Sequence, residues 1–243
     1  MKVIQKFLRN NLRNFNYIVY SESTKEAIFF DPMDIDQTLP IAKDLGLKPK
    51  YLINTHNHHD HIKDNSKFLN LNDTQKINLK HNEEFHLSPS EKIRCIYTPG
   101  HVEEHYCYLL INDNSIVGVI SGDTVFNCGV GNCKDGGDPK KLYESIKNEF
   151  ILLDESVKIY PSHDYFLNNL QFAKTVEADN SEIDKYIQLR SQQQLDDEFM
   201  ITTIGEEKLF NPFFRVFEGI KFKDNTSGEL ENFKFLRARR DEW

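Results

Sequence analysis

The sequence predicts an α/β protein in which the ends of several strands carry metal-binding side chains and a mostly helical region follows. Two observations lead to this prediction. Short β-rich apolar runs recur through the N-terminal part of the chain, and four of them end at a His or an Asp. Strand-like patterns stop after residue 165, where apolar residues recur at helical spacing instead.

The composition is that of a globular chain. It has 243 residues, 18 of them Phe and 10 Tyr, and a formal net charge of −8, so it lacks the basic surface on which nucleic-acid binding depends. Charges at Lys6, Arg9 and Arg13 interrupt the N-terminal segment, and no run approaches the roughly 18 apolar residues of a membrane span. We therefore expect a cytoplasmic protein without a nucleic-acid or membrane partner.

The first predicted elements are a hairpin and a helix. Two β-rich runs within residues 15–31 flank a polar segment, which is typical of a β-hairpin. Residues 36–46 have helical spacing, with Ala42 and Leu45 on one face and Gly46 as the end of the helix.

Four further apolar runs lead into residues that commonly bind metals. The runs 51–53, 93–97, 116–120 and 157–160 are followed by His56, His101, Asp123 and His163, respectively. If these runs are neighbouring strands, their carboxyl ends bring three His-bearing loops and one Asp to the same edge of a sheet. Loops on a rigid sheet are a common place for catalytic residues.

Helical patterns dominate the rest of the chain. Asp138, followed by a proline, predicts the start of one helix. Ser181 with Asp184 resembles a capping pair for another. We therefore predict a catalytic domain over residues 1–165 and a mostly helical region over residues 166–243.

The window over residues 55–61 concentrates metal-binding side chains, with four of the nine histidines. Alternation in an extended segment points His56 and His58 to one side, as two imidazoles on one ion require. Asp60 and His61 follow at a turn and can bind a second ion. A solvated polar loop is the alternative, which the position of the window at a strand end disfavours.

The chemistry of these residues suits two divalent ions about 3.5–4 Å apart that share a carboxylate. The predicted ligands are His56, His58 and His101 for the first ion, Asp60, His61 and His163 for the second, and Asp123 as the bridge. Imidazoles and carboxylates without thiolates suit zinc, which we expect most, and also iron or manganese. Open coordination positions would make the site catalytic.

The remaining four histidines are expected to play lesser roles. His59, His81 and His86 are predicted to lie at the surface. His105 follows His101 by four residues, and it is expected either to support a ligand or to be structural.

The pattern T-H-x-H-x-D-H, with TPGH, GDT and a later strand-end His, resembles the metallo-β-lactamase superfamily. The resemblance covers residues from about 15 to 165. It implies an αββα sandwich with the metals at one edge, to which a small, mostly helical C-terminal appendage is added. It does not fix the substrate, because one fold hosts many activities.

The C-terminal region is similar to that of the glyoxalase II (hydroxyacylglutathione hydrolase) family in the segments 163–180, 207–215 and 236–243. The resemblance implies hydrolysis of S-lactoylglutathione, or a related hydroxyacylglutathione, to a hydroxy acid and glutathione. It also implies that Arg237 and Arg240 hold the carboxylate end of glutathione and that Tyr165 is a further substrate contact.

Some positions depart from that family. Where it has a basic residue and a Tyr that contact glutathione, this chain has Asn132 and Lys134 in a longer segment, 128–137. The segments 136–139 and 160–165 also resemble the persulfide dioxygenase branch. A thioesterase for a different thiol carrier therefore stays open as an alternative.

The implied mechanism is attack of a metal-bridging hydroxide on the thioester carbonyl, with Asp60 and Asp123 as the catalytic carboxylates. A thiol with a pKa of about 8.5 leaves as thiolate without a strong general acid.

A persulfide dioxygenase would instead use one iron held by two His and one Asp. A β-lactamase would carry an export signal. A nucleic-acid-processing enzyme would have a basic face, and a non-catalytic binding module would have fewer metal ligands. A monomer and a small homo-oligomer are both compatible with the sequence.

Overall fold

The computed structural model describes residues 1–222 and 228–243, which form two five-stranded sheets and a set of helices. The first sheet contains β1 (Lys2–Phe7), β2 (Phe15–Tyr20), β3 (Glu26–Phe30), β4 (Lys48–Ile53) and β5 (Gln75–Lys76), in that order. The second has the order β12-β9-β8-β7-β6, with β6 (Glu84–Ser88), β7 (Glu91–Tyr97), β8 (Tyr106–Asn112), β9 (Ser115–Gly122) and β12 (Lys158–Pro161). A short hairpin of β10 (Val125–Phe126) and β11 (Gly129–Val130) follows β9.

The helices of the N-terminal part are short. They are α1 (Ile35–Asp44), α2 (His59–Ile62), α3 (Asn65–Leu69) and α4 (Pro139–Ser145), which a π-helical turn over Ile146–Phe150 extends. After β12 the chain forms α5 (Phe166–Val176), α6 (Ser181–Gln192), α7 (Ile204–Phe210), α8 (Pro212–Arg215) and α9 (Glu229–Glu242). The predicted helical character of the C-terminal region is confirmed.

Strand pairing is mixed in both sheets. In the first, β1, β2 and β3 pair antiparallel, whereas β3–β4 and β4–β5 are parallel. In the second, β6 to β9 pair antiparallel and β12 joins β9 in parallel. The carboxyl ends of β9 and β12 therefore lie side by side.

The two sheets pack face to face around an aromatic core. Successive side chains of a strand point to opposite faces, so Val19 of β2 enters this core while Ile18 packs on the outer side with α1. The core side chains are Phe15, Tyr17, Val19, Ile28 and Phe30 from the first sheet and Ile93, Cys95, Tyr108, Leu110 and Ile120 from the second. Helices cover both outer faces, so the expected αββα sandwich is confirmed.

The C-terminal helices share a core with the second sheet. Phe172, Phe213 and Phe233 pack in one cluster with Val119 and Ile159 of the sheet. The division of the chain at residues 165 and 166 stays a prediction, but these helices bury their apolar faces on the first part of the chain rather than on each other alone.

The ligand-bearing runs are not neighbours in one sheet. β4, which leads to His56, belongs to the first sheet, and β7, β9 and β12 belong to the second, where β8 separates β7 from β9. Apolar patterning identifies strands but does not say which sheet they join. The ligands therefore meet where the ends of two sheets come together.

Local boundaries account for two further differences. The sequence pattern predicts Leu45 on the buried face of α1, but the helix ends at Asp44 and Leu45 is exposed, while Leu47 takes the buried position. The N-cap of α6 is Asn180, whose side chain accepts a hydrogen bond from the Glu182 main-chain N–H, so Ser181 is already helical. The hairpin over residues 15–31 and the Asp138 N-cap are confirmed.

Among the described residues, none of the helices is both long and apolar enough to cross a membrane.

Replacement of Phe233 by Ala is expected to lower the free energy of unfolding by about 3–5 kcal/mol, the usual cost of removing a buried Phe side chain. Phe233 is fully buried and lies 5.3 Å from Phe213 between ring centroids. Urea denaturation measures the loss, with Leu152→Ala as the control because Leu152 is 80% exposed. A separate low-stability transition for the C-terminal helices would contradict their shared core.

Candidate metal centre

The predicted ligands lie in loops at strand ends and in one short helix. His56 and His58 lie between β4 and α2, and the first turn of α2 carries Asp60 and His61. The other three, His101, Asp123 and His163, follow β7, β9 and β12. Although these residues are spread over more than 100 positions of sequence, their side chains face one shared space.

The first group consists of His56, His58 and His101, whose ligand atoms lie within 4.8 Å of one another. Within the group, His101 Nε2 and His58 Nδ1 are 3.2 Å apart. His56 and His101 are buried and His58 is half-buried, so the group is open to solvent from the His58 side.

The second group consists of Asp60, His61 and His163. Asp60 Oδ2 lies 3.4 Å from His61 Nε2 and 3.5 Å from His163 Nε2. Such separations are too long for direct hydrogen bonds of good geometry. They fit side chains arranged around a common centre.

Asp123 lies between the two groups. Its Oδ1 is 3.6 Å from His61 Nε2, and its Oδ2 is 3.6 Å from His101 Nε2 and 3.4 Å from His163 Nε2. One carboxylate therefore faces imidazoles of both groups, which is the placement that a bridging ligand requires.

Hydrogen bonds fix the tautomers of His101, His163 and His61. A carbonyl oxygen only accepts, so His101 Nδ1 donates to Asn132 O (2.7 Å) and His163 Nδ1 donates to Leu12 O (2.8 Å). His61 Nδ1 pairs with the Asp31 carboxylate at 2.9 Å. In each neutral ring the Nε2 lone pair is left for the shared space.

The tautomer of His56 is also fixed by a hydrogen bond, in this case to a hydroxyl group. Thr55 Oγ1 donates its one hydrogen to Asp31 Oδ2 at 2.7 Å, so it accepts from His56 Nδ1 at 3.0 Å. His56 Nε2, His61 Nε2 and Asp123 Oδ1 are buried and have no hydrogen-bond partner. Buried polar atoms without partners are costly, and cations bound in the shared space would satisfy them. The donor set of these clusters therefore fits a pair of divalent metal ions.

The charge states of His56 and Asp123 are those that metal ligands need, a neutral imidazole and an ionised carboxylate. Burial lowers the pKa of His56, and the neighbouring His61 lowers it further. For Asp123, burial opposes ionisation, but His163 and His61 outweigh it and hold the pKa well below its usual range. For His61, burial opposes protonation, but Asp123 and Asp31 outweigh it and raise the pKa. A divalent cation would take over the role of that proton.

Asp31 is a supporting residue that the sequence analysis did not identify. Besides His61 Nδ1, it accepts the Thr55 main-chain N–H at 2.7 Å, so one buried carboxylate holds both His61 and the chain before His56. Its φ of 47° is left-handed, a conformation that Asp tolerates better than most residues. The sequence feature that could have identified Asp31 is its position at the end of a strand-like run.

His105 and Asn14 also support the ligands. His105 is buried, and its Nε2 accepts the Asp123 main-chain N–H at 3.1 Å, which confirms a supporting role. Asn14 Nδ2 donates to Asp60 Oδ2 at 2.9 Å. His59, His81 and His86 are exposed, as predicted.

The predicted substrate contacts occupy different environments. Tyr165 is half-buried and stacks on His163, with ring centroids 5.0 Å apart. Arg240 is partly exposed and donates to Asn168 Oδ1 at 3.1 Å. Asn132 supports His101 through its main chain, and Lys134 is exposed.

Arg237 differs from the other predicted contacts because it is buried. Its guanidinium donates to the main-chain oxygens of Val130 and Gly131 and pairs with Asp241. None of these partners is a substrate group.

A cavity of about 390 Å³ opens beside Tyr165, whose ring stacks on His163. Tyr165 and Asn168 line it together with Arg13 and Arg190. Its volume is in the range of small-molecule sites. Through Asn168, its wall contacts the partly exposed Arg240.

Family models match two parts of the chain. The model of the hydroxyacylglutathione hydrolase C-terminus matches residues 164–243, and that of the metallo-beta-lactamase superfamily matches residues 21–94. The chain is 31% identical to a hydroxyacylglutathione hydrolase from Polaromonas sp. strain JS666, over 85% of this chain and 83% of that protein. It is 32% identical to one from Francisella tularensis subsp. novicida strain U112, over 88% of each.

A solved structure shows the same fold at lower identity. ETHE1 from Myxococcus xanthus superposes with a TM-score of 0.72 and 20% identity, over 99% of this chain and 92% of that one. This likeness extends through the C-terminal helices as well as the sandwich.

Replacement of Asp31 by Asn is expected to weaken metal binding by about 10–100-fold, the usual effect of removing a partner that orients a ligand. Asn matches Asp in size and tolerates the left-handed backbone, but its amide cannot accept on both sides. Competition with a chromogenic chelator measures the affinity. Asp64→Asn is the control, because Asp64 accepts the Ile35 N–H outside the cluster. Equal affinities for the two variants would exclude the supporting role.

Proposed function

This chain belongs to the hydroxyacylglutathione hydrolase family, and on that premise we propose that it hydrolyses a hydroxyacyl thioester of glutathione, such as S-lactoylglutathione, to a hydroxy acid and glutathione. The observation that carries the proposal is the pair of clusters, His56–His58–His101 and Asp60–His61–His163, with the Asp123 carboxylate facing imidazoles of both. Zinc is the proposed metal, because imidazole and carboxylate ligands without thiolates suit it; iron and manganese are compatible with the same ligands.

His56, His58 and His101 would hold one ion, Asp60, His61 and His163 the other, and Asp123 both. When bound, such a pair supplies a water of lowered pKa as nucleophile and polarises the thioester carbonyl.

The chain's own carboxylates position the nucleophile. Asp60 is held by Asn14 and faces His61 and His163 of the second group, so its carboxylate would help to orient a water bound there. Its pKa is lowered even though burial opposes this, because His61 and the Asn14 amide stabilise the ionised form. Asp60 therefore stays ionised and can only accept hydrogen bonds. The thiol leaving group needs no general acid, because its pKa is about 8.5.

The glutathione part would lie along Tyr165, Asn132, Lys134 and Arg240. On a chain with a net charge of −8, carboxylates of a substrate need local cations. Arg240 and Lys134 are the predicted contacts that keep exposed surface. Tyr165 presents the ring that is stacked on His163, so it would place the substrate beside the second cluster.

A mononuclear persulfide dioxygenase and a thioesterase for another thiol carrier are the alternatives to test. The second cluster of Asp60, His61 and His163 favours two ions over one. We propose a cytoplasmic enzyme, a monomer or a small homo-oligomer, that acts on a small molecule without a nucleic-acid or membrane partner.

The decisive assay measures hydrolysis of a thioester panel by protein of determined metal content. S-Lactoylglutathione is compared with the same acyl group on coenzyme A and on a small neutral thiol, and oxygen uptake is followed with glutathione persulfide. Two metal ions per chain and a preference for the glutathione thioester support the proposal. One iron per chain together with oxygen uptake would instead support the persulfide dioxygenase alternative.

Asp123→Ala is expected to lose metal and to lower turnover by more than about 100-fold, because removal of even an outer supporting group costs 10–100-fold. Metal analysis and initial rates test this. Asp135→Ala is the matched control, since Asp135 is exposed in the neighbouring segment. Full activity of the Asp123 variant would remove the carboxylate from the mechanism.

Arg240→Ala is expected to lower kcat/KM for the glutathione thioester by about 10–100-fold, mainly through KM, as loss of a hydrogen bond to a charged group predicts. Arg239→Ala, an exposed neighbour on the same helix, should leave the kinetics unchanged. The effect should vanish with the neutral-thiol substrate. A loss of equal size for both substrates would show that Arg240 does not contact a carboxylate.

A further inference from the structure

The loop between β1 and β2 supplies the outer partners of two proposed metal ligands. Leu12 O accepts the His163 Nδ1 hydrogen at 2.8 Å, and Asn14 Nδ2 donates to Asp60 Oδ2 at 2.9 Å. Both His163 and Asp60 belong to the second group of predicted ligands. Two of the three ligands of that group are therefore held by one short stretch of chain, residues 12–14.

Arg13, which lies between these two supports, ties the stretch to the residue that follows His163. Its Nη2 donates to Asp164 Oδ2 at 2.6 Å, and its Nε donates to Asp164 O at 3.1 Å. The Arg13 carbonyl oxygen accepts the Asp164 main-chain N–H at 2.9 Å. The guanidinium also pairs with Asp196, and the buried Arg190 donates to the same Asp164 oxygen at 3.3 Å. Main chain and side chain of Arg13 thus bind Asp164 together.

The backbone of the stretch needs such contacts. Arg13 has a φ of 57°, a left-handed conformation that is unfavourable for most residues with a Cβ. Leu12 does not anchor the stretch by burial, because it is 47% exposed. The hydrogen bonds to Asp164 oppose the backbone cost and hold residues 12–14 where they reach the ligands.

The supports of the first group lie elsewhere. His56 is held by Thr55 Oγ1 and His101 by Asn132 O, and neither partner belongs to the β1–β2 loop. Loss of the Arg13 contacts should therefore affect the two groups unequally.

We propose that Arg13 is a positioning residue for the second metal site. By holding residues 12–14 in place it orients His163 and Asp60, while the first site is independent of it. This inference rests on the proposed two-metal centre. The alternative role is a direct contact with substrate, because Arg13 also lines the cavity beside Tyr165.

Arg13→Asn separates these roles, because Asn tolerates the left-handed backbone and lacks the guanidinium. Titration with Co²⁺, followed by visible absorption and by competition with a chelator, measures the affinity of each equivalent. One equivalent should bind as in the wild type. The other should bind about 10-fold more weakly, the lower end of the effect of removing an outer partner, because Arg13 acts through such partners. A substrate contact predicts a raised KM with both affinities unchanged.

Two further backgrounds identify the weakened site. In His58→Ala only the second group keeps all its predicted ligands, so adding Arg13→Asn should weaken the remaining equivalent by about 10-fold. In Asp60→Ala only the first group is complete, and adding Arg13→Asn should leave the affinity unchanged. Equal weakening in both backgrounds would reveal a general structural role and would overturn the inference.

Arg9→Asn is the matched control from the same loop. Arg9 pairs with Asp197, its side chain is 68% exposed, and among the described residues it makes no hydrogen bond to residues 12–14. Both affinities should stay at the wild-type values. If Arg13→Asn does not fold, Asp164→Asn removes the carboxylate that Arg13 binds, and it should weaken the second site alone.

The outcomes distinguish this inference from the proposed function. Wild-type protein must first bind two equivalents of Co²⁺; fewer would overturn the two-metal centre and the inference with it. If the wild type binds two, and the Arg13 and Asp164 variants bind both as tightly, the positioning role alone is overturned.

Discussion

The structure depends on one constraint: several buried ring nitrogens and carboxylate oxygens must point their lone pairs at the same small space. Left alone, such atoms would rotate towards other partners or towards water, since an unpaired buried polar atom is costly. Four of the five imidazoles that are predicted ligands are therefore held by a hydrogen bond on the side away from this space. The acceptors are Thr55 Oγ1, the Asp31 carboxylate and the carbonyl oxygens of Leu12 and Asn132. They come from well-separated parts of the chain, so the centre requires the whole sandwich.

The C-terminal helices extend this support to the hairpin after Asp123. Besides Arg237, Asn169 Nδ2 donates to Asn127 O at 2.9 Å, and the Cys128 N–H donates to Glu207 Oε2 at 2.9 Å. Burial raises the pKa of Glu207 to about 8 although its hydrogen bonds oppose this. Such a buried carboxyl is tolerated because it satisfies the main chain of a tight turn, where Cys128 has a φ of 57°. The helices thus hold the hairpin that follows Asp123 in place.

The clustering of these His and Asp residues was predictable from sequence because its signal is local: such side chains seldom concentrate at strand ends unless they bind a metal ion. Their supports were harder to find. Main-chain oxygens such as Leu12 O leave no trace in residue type, and Asp31 resembles any polar residue after a strand. The allocation of β4 to one sheet and β7 to the other depends on long-range pairing, which apolar alternation does not encode.

The two arginines of the C-terminal motif, which are about one helical turn apart, show the same limit of prediction from sequence. A spacing of three residues places Arg237 and Arg240 on neighbouring faces of α9, and residue type alone does not distinguish them. One face packs on the hairpin and buries its guanidinium against carbonyl groups, while the other lies over Phe172 and Trp243 and retains exposed surface. A motif therefore assigns positions, but packing decides how exposed each charge is: Arg237 is buried, whereas Arg240 retains exposed surface.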